Sequence, residues 1–246
     1  MKQSYKILCL GLVCFSFLGL ELKDVLITEE RPLAIVRRFK PTVAVQNQAV
    51  DKDLILSLEE NLGEKLFDGD TLMTDDKGYA LVVFMDESVA KVKPNSMLIV
   101  RGDVSNDVKS MNTRINLENG EIFLNVQPQG SNDFEVATSR SLASVKGTNF
   151  GNTAGGYVWV EEGQVDLTAL NSGQTVSLYD KMFGQVDQQG NNVDTGELTD
   201  RELQDLNEGY SDLDNDLERK TIKLRFRDEN GQVRVIEVVI FEEGQN

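Results

Sequence analysis

Between Phe134 and Leu167 the chain reads FEVATSRSLASVKGTNFGNTAGGYVWVEEGQVDL, three alternating apolar runs separated by turn residues. Side chains that repeat every second residue line one face of a strand, whereas a helix needs a period near 3.6. The stretch is therefore expected to form strands joined by tight turns, and the same pattern continues on both sides of it. Between its runs sits Val145-Lys146-Gly147-Thr148-Asn149-Phe150. No side chain in that segment offers a common route to making or breaking a bond.

The rest of the chain points the same way. Histidine is absent, which removes the usual general base and the commonest metal ligand, so neither a Ser-His-Asp nor a Cys-His mechanism can be built. The two cysteines, Cys9 and Cys14, both lie in the opening apolar run. Once that run is removed, neither a disulfide nor a cysteine zinc site remains possible. No catalytic, cofactor-binding or metal-binding residue is assigned, and no cofactor is expected. With 40% hydrophobic residues, the 246-residue chain can bury a substantial core, so a disordered reading fails. A formal net charge of −16 repels phosphate backbones and argues against nucleic acid as a partner.

The first residues resemble an export signal. Lys2 and Lys6 precede an uncharged run, Ile7 to Leu20, which is closed by Glu21 and Lys23. Its length suits a signal core better than a full membrane span. Residues 1–21 are thus expected to be a signal peptide, with an uncleaved N-terminal anchor as the alternative. A lipoprotein box ending at Cys14 fits poorly, because the large Val13 stands where a small residue is needed. The expected location is the periplasm or the cell surface of a bacterium, either free or held at the inner membrane by an uncleaved signal.

An all-β domain is expected over residues 34–190. Pro41 interrupts its first strand, Ala34 to Phe39, and residues 42–46 resume it. Residues 51–64 fit a short helix or an irregular strand about equally badly. Turns follow at Asp75 to Gly78, Asp86 to Ser88, Pro94 to Ser96 and Glu118 to Gly120. Leu117 to Leu124 and Val160 to Leu167 share one form, an acidic lead, a glycine turn and an alternating strand, and Asp228 to Val235 repeats it. This echo reads either as ordinary hairpin chemistry or as successive coils of a regular β architecture.

The composition shifts near Gly196, and residues 196–246 are expected to add a helix and a hairpin. Thr199 and Glu202 form a capping box, and Leu203 and Leu206 share a helix face. Thr221 to Arg227 alternates, Asp228 to Gly231 turns, and residues 232–241 return.

Several residue groups invite a functional reading beside a structural one. Asp212, Asp214, Asp216 and Glu218 resemble the start of a calcium loop but lack its sixth-position glycine, so they read as a solvated acidic linker. Asp68, Asp70, Asp75 and Asp76 could supply the paired carboxylates of glycoside hydrolysis, but aspartate is also favoured in turns. Gly147, Gly151, Gly155 and Gly156 are followed by a strand, not by the helix that a phosphate-binding loop needs. Trp159, the only tryptophan, faces away from Val158 and Val160; packing in the core or between sheets is expected, with a ligand platform as the alternative. Arg37, Arg38 and Lys40 read as an exposed strand face, or as contacts to lipid headgroups if the N-terminus stays anchored.

Taken in order, these segments resemble the FecR domain. The resemblance rests on the opening Gly69-Asp70, the turn at Asp86-Glu87-Ser88, the turn at Pro94-Asn95-Ser96, the hairpin from Leu117 to Gly120, the core Lys146-Gly147-Thr148-Asn149-Phe150 and the hairpin from Val160 to Gly163. It covers about residues 34–185. Two residues depart from the pattern: Glu87 stands where a glycine is usual, and Lys146 where an arginine is usual. The signalling members carry a cytoplasmic anti-sigma region before a membrane helix, and there is no room for one ahead of Ile7. The resemblance implies an exported β domain, and it does not imply sigma-factor control. It also implies a structural signature made of Gly69, Asp70, Ser88, Pro94, Gly120, Gly147, Thr148, Phe150 and Gly163, with Gly147 turning the backbone and Phe150 anchored in the core.

The expected fold is all-β, either solenoid-like or an elongated sandwich, with a short C-terminal helix and hairpin. The expected function is non-enzymatic: protein–protein interaction, or sensing and scaffolding in the envelope, with an envelope or surface protein as partner. The alternatives are a cell-wall or carbohydrate enzyme using Asp/Glu pairs, and a signal relay docking through the C-terminal hairpin.

Overall fold

The computed structural model describes residues 31–48, 52–57, 60–104, 111–130, 132–210, 218–227 and 232–242. The expected export signal with Cys9 and Cys14, the acidic run from Asp212 to Asp216 and the turn from Asp228 to Gly231 lie outside the described residues.

The strands follow one another as Ala34–Lys40 (β1), Val43–Asn47 (β2), Lys52–Ile55 (β3), Glu64–Leu66 (β4), Thr71–Thr74 (β5), Tyr79–Phe84 (β6) and Val89–Val92 (β7). Met97–Val104 (β8), Met111–Asn119 (β9), Glu121–Asn125 (β10), Phe134–Ala137 (β11), Ser141–Val145 (β12) and Asn149–Thr153 (β13) come next. Tyr157–Glu162 (β14), Gln164–Ala169 (β15), Thr175–Tyr179 (β16), Met182–Val186 (β17) and Val193–Glu197 (β18) lead into the helix Asp200–Asn207 (α1). Glu218–Arg227 (β19) and Val233–Glu242 (β20) form a separate antiparallel ribbon.

The first eighteen strands make two nine-stranded sheets. Sheet A runs β18-β17-β14-β13-β10-β7-β6-β1-β4, and sheet B runs β16-β15-β12-β11-β9-β8-β5-β2-β3. The chain shuttles between them, mostly two strands at a time: β6–β7 in A, β8–β9 in B, β13–β14 in A, β15–β16 in B. Within each sheet the neighbours are antiparallel, apart from the parallel pair β9 and β11. A solenoid would stack its coils as parallel strands, so the architecture is the elongated sandwich.

The alternating pattern sets the core. In β12, Ser141, Ala143 and Val145 are buried while Leu142 and Ser144 are only partly so. In β15, Val165, Leu167 and Ala169 are buried. These residues of sheet B join Leu124, Phe150, Val158 and Val160 of sheet A in one cluster. Phe84 and Phe134 meet edge-on across the two sheets, with ring centroids 5.3 Å apart at 83°. Burying a phenylalanine of this kind contributes about 2–3 kcal/mol.

Two features differ in detail from the sequence pattern. Residues 52–55 form an edge strand paired to β2, and Leu56 turns into the core, which accounts for the poor fit of its leucines to either period. Sheet A also runs past residue 190, because Val193–Glu197 pairs with β17. Pro41 lies where the chain leaves sheet A for sheet B, since a residue without an N–H cannot continue a ladder.

Candidate functional site

The residues of the expected signature come together as locks between successive turns. Ser96 and Gly120 make the first. The Ser96 hydroxyl donates to the Glu121 carbonyl at 3.3 Å and accepts the Glu121 N–H at 3.1 Å. Gly120 has φ +83°, and a Cβ there would lie 2.1 Å from Ser96 Oγ. Thr148 and Gly163 repeat the arrangement. The Thr148 hydroxyl donates to the Gln164 carbonyl at 2.7 Å and accepts the Gln164 N–H at 3.3 Å. Gly163 has φ +103°, and a Cβ there would meet the Gly147 carbonyl at 2.9 Å. In both locks a buried hydroxyl grips the residue after a glycine turn. The echo between Leu117–Leu124 and Val160–Leu167 is therefore a repeated structural device.

The other signature residues serve the same end. Asp70 is buried and accepts the N–H of Phe67 at 2.9 Å and of Gln48 at 3.2 Å. Gly69, with φ +88°, turns the chain beside it and donates to the Val100 carbonyl. The Ser88 hydroxyl donates to Asp86 Oδ2 at 2.8 Å and accepts the Gln127 N–H at 3.0 Å. Pro94 opens a turn whose next residue, Asn95, takes φ +56°. Gly147 turns with φ +132° against Pro128. Phe150 is fully buried in the inter-sheet core. Glu87 adopts φ +70°, the left-handed conformation that a glycine reaches without steric cost.

A second group, which the residue types alone did not bring together, lies on the outer face of sheet A. Phe123, Trp159, Leu198 and Tyr210 are buried there as one cluster, with Tyr157, Phe183, Leu203 and Leu206 packed against it. Of the two packing sites expected for Trp159, the structure shows the first, a buried core cluster, and not the space between the sheets. Val158 and Val160 fill that space, and Trp159, on the opposite face, is covered by the α1 segment. Its ring lies across Gly151, where a Cβ would fall 1.9 Å from Trp159 Cζ2.

Polar tips pin this layer. Trp159 Nε1 donates to Asn207 Oδ1 at 3.0 Å, and Asn207 Nδ2 donates to Glu161 Oε1 at 2.9 Å. The Tyr210 hydroxyl donates to Glu121 Oε1 at 2.8 Å. Lys93 pairs with the same carboxylate at 2.7 Å and stands 4.3 Å from the centre of the Tyr210 ring. Burial, then the neighbouring Glu121 charge, drives the Tyr210 phenol far above its ordinary pKa. The helix is held by the expected capping box, in which the Thr199 side chain accepts the Glu202 N–H and the Glu202 carboxylate accepts the Thr199 N–H at 2.9 Å.

The candidate carboxylates of the first turns are occupied locally. Asp68 accepts the Gly102 N–H at 3.0 Å, and Asp75 accepts the N–H groups of Lys77 at 3.0 Å and Thr42 at 3.2 Å. Those contacts, the Lys77 N–H foremost, hold the Asp75 carboxyl below its usual range. Gly151 and Gly155 to Gly156 lie in a strand and in the turn after it, and so cradle no anion. Lys40 stands 5.7 Å from the Tyr79 ring centre, at the end of β1. Among the described residues, no group of three or more Asp, Glu, His or Cys is placed to hold a metal. Sheet B presents an open polar depression of about 520 Å³ lined by Arg101, Asn112, Arg114, Asn116, Asp133 and Glu135.

The fold defines the class: an elongated, two-sheet antiparallel β domain closed by hydroxyl–glycine locks. Residues 70–166 match the family described as "FecR protein", and the FecR resemblance read from the sequence is borne out over that span. It contains the core of the signature, from Asp70 through Gly163. No curated protein matches the chain. Two crystal structures of a "putative anti-sigma factor" from Parabacteroides distasonis ATCC 8503, at 2.50 Å and 1.65 Å, are similar to it at 17% identity. They cover 56% of this chain and 64% and 65% of their own, with TM-scores of 0.48 and 0.47. The similarity thus spans less than two thirds of those chains.

Proposed function

We propose that the chain is an exported, non-enzymatic FecR-type domain that works by protein–protein contact in the bacterial envelope, as a sensing or scaffolding module of the periplasm or cell surface. The observation that carries this reading is the use made of the signature. Asp70, Ser88, Thr148 and Phe150 of the signature, together with Ser96 of the Pro94 turn, are consumed in turn-to-turn hydrogen bonds and core packing. The FecR-type segment is then a rigid frame that displays polar strand faces, and its defining residues are unavailable for chemistry. The charged run ahead of Ile7 and the apolar run after it supply the route to the envelope.

The test is fractionation of cells producing the tagged chain, combined with photocrosslinking from Arg114 on the outer face of sheet B. Recovery in the envelope, with one defined protein crosslinked from that face, is the expected result. A cytoplasmic chain, or hydrolysis of cell-wall glycan by the purified protein, would overturn the reading.

A further inference from the structure

The two nine-stranded sheets end in four edge strands, and these are not alike. Three of them carry charge: Asp53 lies in β3, Glu64 and Lys65 in β4, and Asp194 and Glu197 in β18. Charged side chains on an edge deter a further strand from adding to it. The fourth edge strand, β16, reads Thr175-Val176-Ser177-Leu178-Tyr179 and carries none. It is also accessible. Thr175 is exposed, Tyr179 is 53% exposed, and Val176 packs on the core while only half-buried.

The backbone of this edge offers bonding groups at a regular spacing. The Ala169 N–H donates to the Gln174 carbonyl, which fixes the phase of the β15–β16 ladder. Bonded and non-bonded residues alternate along an antiparallel pair, so Val176 and Leu178 bond to β15. The N–H and C=O groups of Thr175, Ser177 and Tyr179 then point off the sheet, at steps of about 7 Å. Among the described residues nothing bonds to them. They form the footprint of one more antiparallel strand. The side chains beside that footprint are acidic. Asp166 stands across from Ser177 and accepts its hydroxyl at 2.6 Å, and Asp180 follows Tyr179 directly. Lys181 is the one cation between Val160 and Leu198, and it pairs with Asp200 at 2.6 Å.

We propose that the β16 edge takes up an extended, lysine- or arginine-bearing segment of a partner protein as an added strand of sheet B. Main-chain bonds to Thr175, Ser177 and Tyr179 hold the segment, and its alternate side chains give specificity. Aliphatic side chains close over Val176 at the rim of the core, and cations on the other face meet Asp166 and Asp180. Charge decides against a second copy of this chain, which would bring the same carboxylates and a net charge of −16 to the contact. This use of the edge rests on the protein-contact reading above. The two fail separately: an edge that binds nothing leaves the envelope result standing, and a cytoplasmic chain leaves the edge intact.

The test uses the full chain as recovered from cells and a short fluorescent peptide of alternating lysine and valine. Two control peptides go with it: the same peptide N-methylated throughout, which keeps the charge and removes the donors, and a glutamate–valine peptide. The lysine peptide is expected to bind, read as fluorescence anisotropy, and to slow amide hydrogen exchange at Thr175, Ser177 and Tyr179. Ser177→Pro removes only a donor that points off the sheet, a place where an edge strand accepts proline. N-methylation and Ser177→Pro are each expected to weaken binding about tenfold or more. Unchanged protection of the Val176 and Leu178 amides shows that the variant keeps its ladder to β15, and the methylated peptide tests the same bonds with no change to the protein. Equal binding of the methylated or the glutamate peptide, protection confined to another surface, or no binding would each overturn the proposal. So would association of the chain with itself, without peptide, that Ser177→Pro abolishes.

Discussion

The two faces of sheet A are both apolar, yet they are built on different principles. The inner face is aliphatic and phenylalanine-rich, interdigitates with sheet B, and is closed at its rim by the Ser96 and Thr148 hydroxyls. The outer face carries Phe123 and Trp159, covered by Tyr210 and by a short helix that has no fully buried residue, and the Trp159 and Tyr210 polar tips bond to Asn207 and Glu121. Loss of a contact inside the sandwich leaves a cavity between two sheets, so its cost falls on the whole domain. The outer layer depends on a few hydrogen bonds and half-buried leucines, so it can open while the sandwich stays folded.

The largest break lies inside. Phe150→Ala is expected to cost about 3–5 kcal/mol, seen as a lower denaturant midpoint with all probes moving together. Gly151→Ala attacks the boundary between the faces. Its Cβ cannot coexist with Trp159 Cζ2 at 1.9 Å, so the ring must move, at about 1–3 kcal/mol. A red-shifted Trp159 emission in the still-folded protein is the expected signature, and unmoved emission would show that the backbone absorbs the clash instead. Glu87→Gly runs the other way. Relief of a left-handed glutamate at φ +70° is expected to raise stability by about 0.5–1 kcal/mol, read as a higher unfolding midpoint.

Acid should separate the two faces without mutation. The Thr199 N–H holds the Glu202 carboxyl below its ordinary pKa, and the Lys181 hydrogen bond does the same for Asp200. A carboxylate with a depressed folded pKa contributes stability above its unfolded value and loses it as pH falls through the folded one. The α1 anchor is therefore intact above the ordinary carboxylate range and weakens below it. Trp159 emission is expected to shift in that window before the far-ultraviolet β signal changes, and simultaneous loss of both would merge the two layers into one unit.

Much of this molecule was legible in its residues. Period-two runs and glycine turns gave the strands, and Thr199 with Glu202 gave the helix start. The departure at Glu87 marked a position that the structure holds at positive φ. The choice between solenoid and sandwich was not legible, because alternation fixes which face a residue joins and says nothing about which strand lies beside it. The outer aromatic layer was legible in part. Tyr157-Val158-Trp159-Val160 and Ile122-Phe123-Leu124 are apolar on both faces, the mark of a strand covered twice. What covers it, α1 and Tyr210, is remote in sequence, and nothing local to Trp159 announces the bond to Asn207. The hydroxyl locks escaped because Ser96 and Thr148 look like ordinary turn residues until their partners, 25 and 16 positions away, are beside them.

The claim that the signature is a frame and not a binding loop comes down to Thr148. Thr148→Val keeps the shape and removes the hydroxyl that grips Gln164, at a cost of about 1 kcal/mol. Amide hydrogen exchange of the variant is the direct measurement. Protection of the Gln164 N–H is expected to fall sharply while that of Glu121, held by the unaltered Ser96 lock, stays as it was. Undiminished protection at Gln164 would contradict the account.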